Sequence, residues 1–258
     1  MPTRLLVLLL TIFFIGGNIH TANAIANSTF HELHHKKNDK PTLGQLRRKY
    51  ADTFLVQGPH VKQVALTFDD VPDIRFTPQV LDVLKSYNVK ATFFVVGERA
   101  EKHPNLVKRM VKEGHIVGNH SYNHALLTKL SLHDFQRQLL RTDRIMSTIT
   151  GHKPKFIRPP YGEINEEQLQ WLKQNGFIVV NWNVDSLDWK GIDKQKVERN
   201  IVRAVRPGSI ILQHAGGGTT SDLTGSIEAL PNVIMKLKGM GYRFVTLPEL
   251  LDIEPNRS

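Results

Sequence analysis

No cysteine occurs anywhere in the 258 residues. Disulfides, thiolate metal sites and a lipid-modified N-terminal cysteine are therefore excluded. Long apolar runs are scarce as well. The most sustained, from Leu5 to Gly17, falls short of the roughly 20 residues needed to span a bilayer. The glycine-rich phosphate fingerprints of nucleotide-binding folds are missing. Acidic side chains are the minority, 24 against 34 Lys and Arg, which gives a net charge of +10 and a pI near 9.8. That balance favours an anionic partner, whether nucleic acid, polymer or membrane surface. What is present is ordinary for a globular protein, with 40% hydrophobic and 22% charged residues. A chain of this length can bury one large core, as α/β barrels of this size do.

The first residues narrow the choice of partner. Arg4 precedes the apolar run, and Ala22-Asn23-Ala24 follows it as a small-x-small cleavage signal. Residues 1–24 are thus expected to be an export signal, with an uncleaved membrane anchor as the alternative. An exported basic protein, secreted or associated with the cell wall, rarely meets nucleic acid, so its charge points to an anionic wall polymer. Residues 25–60 read as a basic linker, with His31-Glu32-Leu33-His34-His35-Lys36-Lys37 and no apolar period, interrupted by a short helix over 43–50. The folded domain is then expected over 61–258.

Within that domain, strand-like and helix-like segments alternate. Strands are predicted at 64–68, 91–96, 116–119, 156–158, 178–181, 209–213 and 243–246. Helices are predicted near 77–86, 104–113, 131–149, 165–175, 193–204 and 226–238. Thr77-Pro78 reads as an N-cap followed by a first-turn proline, and Gly114, Gly176 and Gly241 stand where helices should stop. Repeated βα units imply an α/β fold with a parallel sheet covered by helices. A distorted or incomplete (β/α) barrel of about seven parallel strands is expected, with an open doubly wound sheet as the second choice.

Polar clusters follow five of these strands. They are Asp69-Asp70, His120-Ser121-Tyr122-Asn123-His124, Arg158-Pro159-Pro160-Tyr161-Gly162, Asp185-Ser186-Leu187-Asp188-Trp189 and Leu212-Gln213-His214. Loops at the C-terminal ends of parallel strands line one shared cleft, so the five clusters should converge. On a helix, His120 and His124 would lie about 5–6 Å apart and could share a metal ion. One Asp with two His leaves a coordination position open, which is the layout of a catalytic rather than a structural metal site.

In order and spacing these clusters resemble the motifs of the polysaccharide deacetylases, metal-dependent carbohydrate esterases with a NodB-homology domain. The resemblance spans about Val64 to Leu251. It implies Asp70, His120 and His124 as metal ligands, with zinc the expected ion and cobalt or another divalent ion the alternatives. It implies Asp69 as general base, Arg158 as the residue that orients it, and His214 as general acid held by Asp188. Tyr161 would offer its backbone N–H to an oxyanion, and Trp189 and Leu212 would wall the acetyl pocket. One position departs from the family pattern: Val71 stands before Pro72 where glycine is usual. A β-branched residue resists positive φ, so a different loop is expected there, with Val71 and Asp73 narrowing or recharging a subsite.

The implied activity is removal of N-acetyl groups from a cell-envelope polysaccharide, with peptidoglycan first and chitin oligomers next. The alternatives are an O-acetyl esterase of xylan or peptidoglycan, and a wall-binding module without turnover. The protein is expected to act as a monomer on its polysaccharide substrate, without nucleic acid.

Overall fold

The computed structural model describes residues 40–257. Its centre is β2 (Gln63–Val71), in which Val64, Ala65, Leu66 and Phe68 are all fully buried. Burial on both faces is what a central parallel strand requires. Around it lie β3 (Thr92–Val95), β4 (Ile116–Asn119), β6 (Phe156–Ile157), β7 (Ile178–Val180) and β9 (Ser209–His214). Two short strands, β1 (Phe54–Leu55) and β8 (Val184–Asp185), lie at the sheet's ends, and β10 (Arg243–Phe244) pairs with the start of β2. Among the described residues the sheet has nine strands, in the order β1-β7-β6-β4-β3-β2-β9-β8, with β10 off this path. All pairings between its strands are parallel. β1 and β8 do not pair with each other, so the curled sheet is a half-barrel rather than a closed one.

The helices cover the sheet through apolar stripes at helical spacing. Phe135, Leu139, Thr142 and Met146 are the inward residues of helix Leu132–Thr150; Ala229, Leu230, Val233, Ile234 and Leu237 are those of Thr224–Gly239. Ser131, Asn165 and Asp193 cap the helices that follow them, each accepting from a backbone N–H three residues on. Gly114, Gly176 and Gly241 end helices at positive φ, as predicted. Thr77 is not the expected N-cap. It is the first residue of helix Thr77–Ser86, and its hydroxyl donates to the Ala215 carbonyl at 2.7 Å. No helix among the described residues is long and apolar enough to cross a membrane.

Two strands more than expected join the sheet, because two-residue strands carry no period for a sequence to display. An antiparallel pair, β5 (Lys153–Pro154) with β11 (Asn256–Arg257), lies outside the main sheet. The expected linker also ends earlier than residue 60. Helix Leu43–Lys49 and β1 already belong to the folded unit, which begins at Pro41. Leu46, Tyr50 and Phe54 are buried against Ile164, Leu169, Leu172 and Phe177, and that apolar contact fixes the segment. The export signal expected over 1–24 and the linker residues up to 39 lie outside the described residues. Phe54→Ala should therefore lower stability by about 3–5 kcal/mol, read as a reduced urea midpoint. A silent substitution would mean that the segment is a tether after all.

Candidate active site

The C-terminal edge of the sheet gathers the polar clusters into one cleft of about 360 Å³. Asp69 and Asp70 lie near the C-terminal end of β2, just before Val71, and His214 ends β9 directly opposite Asp69 in register. His120 follows β4 and Arg158 follows β6. Asp69, Asp70, His120, His124, Tyr161, Trp189, Leu212 and His214 all line the cleft. Arg158 and Asp188 are buried behind it.

The two adjacent carboxylates point to different tasks because Asp70 takes a left-handed backbone, φ 65°. Asp69 accepts from Arg158 Nη1 at 2.8 Å. Arg158 is wholly buried, and its other donors go to the Thr67 hydroxyl at 2.8 Å, the Val180 carbonyl at 2.9 Å and the Asn181 carbonyl at 3.2 Å. Burial pushes the Asp69 carboxyl up from the ordinary value, and Arg158 only partly offsets this. A carboxylate raised in this way is a stronger base.

Asp70, His120 and His124 bring one donor atom each to within 4.8 Å of one another. Asp70 Oδ1 lies 3.1 Å from His124 Nε2 and 3.5 Å from His120 Nε2, yet it is buried and accepts no hydrogen bond. His120 meets the Arg158 carbonyl through Nδ1 at 2.7 Å. A carbonyl can only accept, so Nδ1 carries the proton and Nε2 keeps its lone pair. Burial pushes the His120 pKa down to about 3, so the ring is neutral, as a ligand must be. An unsatisfied carboxylate oxygen facing two imidazole nitrogens fits a divalent cation.

These histidines do not lie on a helix. They sit on a bent loop in which Ser121 (φ 64°) and His124 (φ 59°) are both left-handed. Asn119 builds the turn, its side chain accepting from Ser121 N at 2.9 Å and donating to Asp143 at 2.9 Å and the Leu139 carbonyl at 3.0 Å. Nothing in the sequence marked Asn119 or Asp143 apart from their flanking positions.

Across the cleft, Asp188 Oδ1 lies 2.8 Å from His214 Nδ1, while Oδ2 accepts from His214 N at 2.8 Å and the Ser226 hydroxyl at 2.7 Å. Burial works against a charge on His214, but Asp188, with help from Asp69 and Asp70, outweighs it and raises the pKa to about 9. Nδ1 is occupied by Asp188, leaving Nε2 as the free donor. Tyr161 also takes positive φ (61°); the residue is 64% exposed, and its ring meets His124 edge-on at 4.9 Å. Trp189, 54% exposed, and Leu212, buried, both line the cleft. Trp182 and Asp185 line the cleft too, although neither was assigned a role from sequence. Their signal was position, just after β7 and at the end of β8.

Val71 does not line the cleft. The left-handed residue is Asp70, so Val71 continues β2 opposite Val95 and is buried in the core. Asp73 does not recharge a subsite either, since Arg75 and Arg99 pair with it.

A buried carboxylate held by Arg158 and a histidine held by Asp188 share the cleft with three donors suited to a cation, which is the equipment that metal-assisted hydrolysis calls for. Residues 57–180 match the family model for polysaccharide deacetylases. A peptidoglycan-N-acetylglucosamine deacetylase of Bacillus cereus is 49% identical over 210 residues, covering 81% of this chain and 75% of that protein. The peptidoglycan-N-acetylmuramic acid deacetylase PdaC of Bacillus subtilis is 40% identical over 199 residues, 77% of this chain and 41% of that longer protein. Among solved structures, the Bc1960 peptidoglycan N-acetylglucosamine deacetylase superposes with a TM-score of 0.79 at 46% identity, covering 81% of this chain and 99% of that one. The chain belongs to the polysaccharide deacetylase family, and Asp70, His120 and His124 form a candidate site for the divalent metal that such deacetylases use.

Proposed function

We propose that this protein removes N-acetyl groups from the amino sugars of peptidoglycan, N-acetylglucosamine first and N-acetylmuramic acid second. The observation that carries the reading is the opposition of Asp69 and His214, a base and an acid on adjacent strands, over Asp70, His120 and His124. Identity to peptidoglycan deacetylases supports the choice of polymer. The basic charge and the leader-like N-terminus support a location outside the cell, at the wall.

Asp70, His120 and His124 would hold the cation, with zinc favoured by the mixed imidazole and carboxylate donors. When bound, such an ion supplies Lewis acidity toward water and toward the acetyl carbonyl. Asp69, ionised and oriented by Arg158, takes the proton of the attacking water. The Tyr161 backbone N–H is the donor for the oxygen that becomes negative. His214, charged through Asp188, gives its Nε2 proton to the departing sugar nitrogen, which leaves poorly as an anion. Trp189 and Leu212 enclose the acetyl methyl.

Acetate release measured side by side on purified peptidoglycan, chitin oligomers and acetylxylan tests the assignment. Peptidoglycan should give the highest kcat/KM. A preference for acetylxylan would replace the amide reading with an ester one, and no release from any of the three would leave a wall-binding module.

A further inference from the structure

The segment Ala215-Gly216-Gly217-Gly218-Thr219 leaves β9 directly after His214 and contributes all three glycines to the cleft lining. Consecutive glycines lose more backbone freedom on ordering than other residues, so the segment needs an external hold. Two arginines provide it. Arg75 donates from Nη2 to the Gly218 carbonyl at 2.9 Å and from Nη1 to the Thr219 carbonyl at 3.1 Å. Arg99 donates from Nη2 to the Gly217 carbonyl at 2.7 Å. Asp73 fixes the first of these by a two-pronged contact, accepting from Arg75 Nε at 3.1 Å and Nη2 at 2.7 Å, and Arg99 Nη1 lies 3.5 Å from it. Gly216 completes the join, because a side chain there would fall 1.9 Å from the Asp70 carbonyl oxygen.

Arg99 also donates to the Asp70 carbonyl at 2.8 Å, so its loss would disturb the ligand set directly. Arg75 is different. It touches neither Asp69, His214 nor any of the three candidate ligands, and it does not line the cleft. His214 is held independently by Asp188 and by its pairing with Asp69.

We propose that Arg75 is a positioning residue for the substrate: by holding the carbonyls of Gly218 and Thr219 it fixes one wall of the cleft and sets affinity for the amino-sugar chain. The inference rests on the deacetylase reading above. It separates binding from chemistry, since an ordered wall contributes equally to the ground state and the transition state.

Arg75→Met in the full-length, metal-loaded protein removes the guanidinium fork while keeping an apolar stem against the Phe76 ring, over which the arginine now lies at 4.6 Å. KM for soluble N-acetylated amino-sugar oligomers should rise about tenfold, with kcat and metal content within about twofold of wild type. Hydrogen exchange at the amides of 216–220 should accelerate. Arg75→Lys, which keeps the charge but not the fork, should not restore KM. Gly218→Ala in the Arg75→Met background should recover about two- to fivefold of the lost affinity by stiffening the released segment. Alanine fits there, with the nearest atom 3.8 Å away and a backbone outside the left-handed range. If Arg75→Met does not fold, Arg75→Gln gives the same readouts. Faster exchange with unchanged KM, full restoration by lysine, or a lower kcat at constant KM would each overturn the proposal. Calorimetric affinity for the same oligomers reads the tenfold loss without turnover, so an inactive wild type would defeat the deacetylase reading without deciding the role of Arg75.

Discussion

Asp69→Asn should cut acetate release by about 10²–10⁴-fold, the usual loss of a general base, while the protein retains its metal. Asp70→Asn should lose activity through the metal itself, with affinity for the ion reduced and activity partly restored by excess Zn²⁺ or Co²⁺. The two neighbours differ because Asp69 Oδ1 is engaged by Arg158, whereas Asp70 Oδ1 faces His120 and His124 with no hydrogen bond. Asp69→Asn also leaves Arg158 charged and buried without its partner, which should destabilise the fold by about 3–5 kcal/mol. Metal content by atomic absorption, turnover and thermal unfolding, measured on both variants, separate the roles. Equal loss of metal from both would show the carboxylates to be misassigned. Extensive chelation of the wild type should abolish activity, and full activity without metal would remove the ligand assignment altogether.

The alkaline limb of the pH–rate profile should belong to His214 and should move to lower pH in Asp188→Asn. In the folded protein the His214 pKa is raised to about 9, above the ordinary 6.5. A raised imidazole stays charged below its folded pKa and loses the proton as pH rises through it, so an acid role fails on the alkaline side. Asp69 and Asp70 contribute to the rise, and a cation on Asp70 cancels part of their share. The limb in the loaded enzyme therefore falls between about 6.5 and 9. Asp188→Asn removes the nearest negative charge, so the limb should retreat toward 6.5 and the maximum rate should fall. His214→Ala should impair amide hydrolysis far more than hydrolysis of an activated aryl acetate, whose leaving group needs no proton. An unmoved limb in Asp188→Asn would break the pairing, and equal losses on both substrates would count against His214 as the acid.

The sheet was legible because its strands are apolar runs ended by turn residues, and the site was legible because parallel strands deliver their polar ends to one edge. Asp69, His120, Arg158 and His214 could be grouped on that ground before any contact was known. Contacts over long separations were not legible. The bond from Arg158 to Asp69 joins residues 89 apart, and the one from Ser226 to Asp188 joins residues 38 apart. Neither leaves a trace in local composition. The turn that brings His120 and His124 together was not legible, because its left-handed positions, Ser121 and His124, are residues that do not announce positive φ as glycine would. Asp73 was read as a charge near a subsite and not as the anchor of an Arg75 brace, since carbonyl partners are invisible in a sequence.

Arg158 serves the site twice, through its side chain to Asp69 and through its main-chain carbonyl to His120. Only the first contact depends on which amino acid is encoded at that codon. Every replacement at position 158 keeps a carbonyl, so the proton on His120 Nδ1 retains its acceptor while the base loses its counter-ion. The basicity of Asp69 can therefore be engineered from one position, with the tautomer that readies His120 for the metal left as it was.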